Sequence, residues 1–166
     1  MTTTNIGPCE CCGSSSSTSS SSSTTTGTTA TTTTAEGGCC LQLTGGGTVE
    51  IVNGGACNHA EEPLTDPPNP GPSTADITIG VAPVILSVEI YCTGDNPADW
   101  SLVYSFDGCS SSGGTVEADS VVIDESAGEC AAVEVTFTIT IDEDDCCDGS
   151  GGGTTAEVVA TFVGGV

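Results

Sequence analysis

The chain has 166 residues, with 23 Asp and Glu, no Lys or Arg, and a formal net charge of -23 when its single His is neutral. Nothing in it can neutralise a phosphate backbone or an anionic lipid surface, so nucleic acid and charged membranes are excluded as partners. Chemistry that needs a lysine amine or a guanidinium fork is excluded with them. No run of about 18 apolar residues is present to insert across a membrane.

The opening MTTTNIGPCECCGSSSS lacks the positive n-region and apolar h-region of a secretory signal. The expectation is therefore a processed form, or release by another route such as lysis, rather than export on its own signal. Cys9, Cys11 and Cys12 precede a tract, Gly13 to Thr34, in which all but three residues are Ser or Thr. Such a tract can serve as a flexible linker, as an O-glycosylated stalk, or as an ordered arm lying along a neighbour. Thr is β-branched and favours extended backbone. Residues 1–38 are thus read as an extended, disulfide-tethered Ser/Thr-rich arm.

Residues 39–60 read as a short β-hairpin, with Leu41-Gln42-Leu43, a turn at Gly45-Gly46-Gly47, and Val49-Glu50-Ile51-Val52. A Pro-rich linker, 61–74, contains EEPLTDPPNPGPS and should run extended. From Ala75 to Val166 period-two alternation recurs. Ile77, Ile79 and Val81 share a face, as do Val84, Leu86, Val88 and Ile90. Trp100, Leu102, Tyr104 and Phe106 follow. Val116 and Ala118 with Val121 and Ile123 form one bent strand or two short ones. Val133, Val135, Phe137, Ile139 and Ile141 alternate with polar residues, and Ala156, Val158, Ala160 and Phe162 close the chain. No segment has a 3.6-residue period, so the fold class is all-β, an antiparallel sandwich over 75–166.

Eleven cysteines (Cys9, Cys11, Cys12, Cys39, Cys40, Cys57, Cys92, Cys109, Cys130, Cys146 and Cys147) mark a disulfide framework in an exposed, oxidising setting. The odd count leaves at least one thiol free, metal-bound or paired between chains. Neighbouring cysteines at 11–12, 39–40 and 146–147 rarely bond each other, so each pair is expected to tie one segment to two places. An alternative is zinc held by Cys9-x-Cys11-Cys12 with Cys57-x-His59. In the acidic run, Asp142, Asp144, Asp145 and Asp148 are weak calcium candidates, although the spacing of an EF-hand loop is absent. No nucleophile stands beside a base, so no catalytic residues are assigned and the chain is not expected to be an enzyme.

With Cys92 ending one strand and Trp100 opening the next, residues 75–166 resemble the immunoglobulin-like modules of phage virion and bacterial surface or appendage proteins. That resemblance implies a binding or display module. Together these features point to a structural assembly protein, a virion or extracellular-filament component. It would be homo-oligomeric, meet copies of itself and other structural subunits through its arm, and need no cofactor except possible calcium. A surface adhesin or calcium-dependent binding module on a Ser/Thr stalk is the alternative, and a Cys-rich metal-binding protein the second.

Overall fold

Alternating side chains give nine antiparallel strands among the described residues: β1 (Leu43–Val52), β2 (His59–Pro63), β3 (Ser73–Ile79), β4 (Val84–Cys92), β5 (Trp100–Asp107), β6 (Gly114–Glu117), β7 (Ser120–Asp124), β8 (Ala132–Thr140) and β9 (Thr155–Gly164). The computed structural model describes residues 38–80, 83–127, 130–147 and 155–164. The arm expected over 1–38, except Gly38, lies outside them, as do Val81 and Asp148. The chain is all-β, in two antiparallel sheets ordered β2-β1-β9-β8-β7 and β3-β4-β5-β6.

The period-two pattern decides which faces meet. In β8, Val133, Val135, Phe137 and Ile139 are buried while Glu134, Thr138 and Thr140 are exposed. In β4, Val84, Leu86, Val88, Ile90 and Cys92 face inward and Ile85 and Glu89 outward. The two sheets therefore share one core. The indole of Trp100 in one sheet meets the ring of Phe162 in the other, with centroids 5.6 Å apart and a 32° tilt.

Connections run as a meander. Every hydrogen-bonded strand pair except β1–β9 joins strands that are consecutive in sequence. The chain changes sheets twice, between β2 and β3 and again after β6, where the Ala118 amide donates to the Trp100 carbonyl of one sheet and the Asp119 amide to the Thr136 carbonyl of the other. Immunoglobulin domains use Greek-key connections instead.

Three sequence expectations are revised. Gly45-Gly46-Gly47 is not a hairpin turn but part of the single strand β1, at a register irregularity between Leu43 and Gly47. The glycines answer a close approach of backbone. A Cβ on Gly47 would lie 2.0 Å from the Thr161 carbonyl oxygen, and one on Gly46 2.1 Å from that of Leu64. Next, the segment 39–60 is no separate element. β1 lies between β2 and β9, and Val49 and Ile51 belong to the common core, so the sandwich extends back to Cys39 rather than starting at Ala75. The Pro-rich linker is also shorter than 61–74, because its ends belong to β2 and β3. Between them Thr65 bridges Thr74, and the Pro68 carbonyl accepts from the Cys92 amide.

Candidate functional site

The eight cysteines of the described residues form four disulfides: Cys39–Cys130, Cys40–Cys92, Cys57–Cys147 and Cys109–Cys146. At 39–40 and at 146–147 the two neighbours reach different partners. Cys92 and Trp100 are register partners at one end of β4 and β5, and Ile85 and Asp107 at the other. Cys39-Cys40 therefore binds the β7–β8 connection of one sheet and the end of β4 in the other. At the opposite end, Cys146-Cys147 binds the β5–β6 connection of one sheet and the β1–β2 connection of the other. Each vicinal pair is a clasp joining both sheets at one end of the sandwich. Four disulfides indicate an oxidising environment, and no helix among the described residues is long and apolar enough to cross a membrane.

With no cation available, neutral donors hold the carboxylates. Asp95 Oδ1 accepts from the Cys40 amide at 3.1 Å, which seats the first clasp on the β4–β5 turn. Asp142 caps the single helical turn α1 (Glu143–Cys146), its carboxylate accepting from the amides of Asp144 and Asp145. Glu143 is the one charged residue in the buried set, and its Oε1 accepts from the Ala56 amide at 2.9 Å. Asp145 accepts from the Ser110 amide and, at 2.7 Å, from its hydroxyl. Those two bonds, the amide first, hold the Asp145 carboxyl below the usual carboxylate range.

In the acidic run the carboxylates of Asp142, Glu143 and Asp145 each accept backbone amides. The calcium candidates Asp142, Asp144 and Asp145 do not converge into a three-ligand group, and Asp148 lies outside the described residues. Cys109, Asp145 and Cys146 do bring ligand-type atoms within 4.8 Å of one another, but the two sulfurs are one disulfide and offer no thiolate. The zinc alternative is altered in the same way, because Cys57 is bonded to Cys147. His59 opens β2 opposite Ile51, with its Nε2 buried and without a hydrogen-bond partner among the described residues. Cys9, Cys11 and Cys12 lie outside the described residues.

One open groove, about 480 Å³, is lined by Tyr104, Ser111, Ser112, Gly113, Thr140, Ile141 and Asp142. Two of its polar groups are tied to backbone: Ser111 Oγ accepts from the Asp142 amide at 2.8 Å and the Tyr104 hydroxyl from the Thr140 amide at 3.4 Å.

The four sheet edges are unequal. β2 carries Glu61, Glu62 and Pro63; β3 carries Asp76 and is bridged at Thr74 by Thr65; β6 has four residues and ends in Glu117. Charge, proline and brevity are the usual devices that protect an edge from pairing. The edge of β7 has Val121, Val122 and Ile123 in sequence, and Val122 is 56% exposed. Sequence reading missed this edge because its alternation looked like that of any other strand.

The chain matches no protein-family model, no curated protein and no solved structure.

Proposed function

We propose that this is a structural assembly protein, a phage-type tail, fibre or capsid-decoration component or an extracellular-filament subunit. Its sandwich is displayed, and its N-terminal arm joins it to further copies and to other structural subunits. The likeness to immunoglobulin-like display modules rests on two packed antiparallel sheets and on Cys92 paired in register with the buried Trp100.

The cysteine balance carries the reading. The eight cysteines of the sandwich are paired with one another, so the odd member of the eleven falls among Cys9, Cys11 and Cys12. Three thiols cannot all pair within one chain. A disulfide between chains then has only the arm to use, while the clasps keep the displayed body closed. A cation-free surface gives trypsin-like proteases no site, which suits a protein that persists outside a cell.

Denaturing electrophoresis without and with reductant tests this. Covalent multimers should collapse to monomer on reduction, and should be absent from the variant with Cys9, Cys11 and Cys12 all replaced by Ser. A chain that runs as monomer both ways and scatters light as monomer refutes the assembly role. Stoichiometric zinc released by a thiol reagent would assign those cysteines to a metal instead.

A further inference from the structure

We infer that the free edge of β7 is the acceptor for an added strand, and that the strand is the Thr-rich segment 28–34 of a second copy. This rests on the assembly reading above and names the surface that the arm meets.

Among the described edge strands β7 is the least protected: its one charge, Asp124, is its last residue, and Ser120–Ile123 carry none. Its Val121 and Ile123 pack against the core, so their positions are fixed, while Val122 points outward between them. The backbone groups on the side away from β8 have no strand beside them. An extended peptide added there gains ladder hydrogen bonds, and β-branched cross-strand pairs add to them.

Charge selects the occupant. Two chains each at -23 repel wherever acids face each other, so contact is favoured only between uncharged stretches. From Cys11 to Ala35 no residue is charged, the longest such stretch in the sequence, and Ser120–Ile123 of β7 is uncharged as well. Within that stretch, residues 28–34 are Thr except for Ala30, the strongest β-formers of the arm.

The place where the arm begins also fits. Gly38 adjoins the clasp in which Cys39 is bonded to Cys130, and Cys130 lies in the connection that starts at Asp124, the end of β7. Seven extended residues span about 23 Å and the five of β7 about 17 Å, so the segment covers the edge with residues to spare. A tract reaching outward from this point in one copy can meet the same edge of the next. Repeated head to tail, that contact builds an open polymer.

The test uses the full-length chain with Cys9, Cys11 and Cys12 replaced by Ser, so that non-covalent pairing is read alone. Amide hydrogen exchange is followed for all four edge strands across a concentration series. Amides of β7 should exchange at least about tenfold more slowly in the associated state, with β2 and β6 unchanged. Val122→Asp sets a repelling charge on the edge without touching the core, and should weaken association at least about tenfold at an unaltered thermal midpoint. Val163→Asp is the control: Val163 is 62% exposed on the same outer face but lies on β9, inside the sheet, and should have no effect. Replacing Thr31, Thr32, Thr33 and Thr34 with Gly should act like Val122→Asp.

Association with β7 unprotected and Val122→Asp silent overturns this inference and leaves the assembly role standing. Equal effects of the two Asp variants would put the contact on the sheet face and overturn it too. Protection of β7 independent of concentration would mean that the chain's own arm fills the edge. If the unsubstituted chain is monomeric under all conditions, the assembly role fails and this inference with it.

Discussion

Gly45 and Gly47 stand two residues apart in one strand, and substituting each with Ala separates two explanations of the glycine triplet. Neither has a positive φ, so Ala is permitted by backbone conformation at both positions. At Gly45 a new Cβ meets nothing within 4 Å. The effect there is confined to the unfolded chain, and Gly45→Ala should stabilise by about 0.4–1 kcal/mol. At Gly47 the Cβ would lie 2.0 Å from the Thr161 oxygen and 2.9 Å from Cδ1 of Phe162. An ordinary carbon–oxygen contact is about 3.3 Å, so β1 and β9 must separate locally by roughly an ångström. That stretch breaks at least one ladder hydrogen bond between half-buried backbone groups, at about 1–3 kcal/mol each. Allowing for the unfolded-state gain, Gly47→Ala should destabilise by about 1–5 kcal/mol. Denaturant unfolding of the disulfide-intact chain measures both, with the single tryptophan, buried Trp100, as probe. Equal effects at the two positions, or a Gly47 variant within about 0.5 kcal/mol of wild type, would refute the close-approach account.

Other consequences follow from the clasps and the held carboxylates. Replacing Cys57 and Cys147 together with Ala removes a link spanning 90 residues, and the unfolding free energy should fall by about 3–4 kcal/mol, with no change indicating that this clasp is idle. Glu143→Ala strands the Ala56 amide and should destabilise by about 1–3 kcal/mol, whereas Glu143→Gln, which keeps an acceptor, should lose less; the reverse order in thermal melts would reject that role. The lowered Asp145 carboxyl favours the fold only while ionised, so its contribution is present above the unfolded carboxylate value and is lost as pH falls through the lowered folded value. Ser110→Ala removes the hydroxyl but keeps the amide, so an NMR titration should show Asp145 moving part of the way back up; an unmoved midpoint would remove the hydroxyl from the account.

Local chemistry in the sequence carried most of the strand framework. Alternation marks β4, β5, β8 and β9 because each has one face in the core, and the segment around Ala118 separates into β6 and β7 where the chain changes sheets. The glycine triplet misled for a physical reason: a turn that needs freedom of φ and a strand that needs a missing Cβ select the same residue. The place of β1 beside β9 was illegible because its partners lie over a hundred residues away, and nothing local records such pairing. Disulfide partners were open likewise, as Cys39 and Cys130 are 91 residues apart. Asp142 could have been recognised as a cap, since an Asp followed by acidic residues in the first turn is a helix start signal. The burial of Glu143 had no signal, because it depends on the β1–β2 connection folding over it.

The missing lysines and arginines matter more for association than for the fold of one chain. An exposed salt bridge contributes about 0–1 kcal/mol, and here hydroxyls and amides take over the holding of carboxylates, as Ser87 does for Asp76 and Thr138 for Asp119. What neutral donors cannot supply is attraction between two acidic bodies. At physiological salt, repulsion between exposed charges persists to about 8 Å, well beyond hydrogen-bonding distance. On the proposed assembly, contact between copies would be favoured at stretches that carry no charge, where backbone pairing does not require a cation. Once made, such a contact can be locked by a disulfide, which is insensitive to the charge around it. On this reasoning the uncharged Ser/Thr tract and the three cysteines before it are what a cation-free chain needs in order to associate with itself.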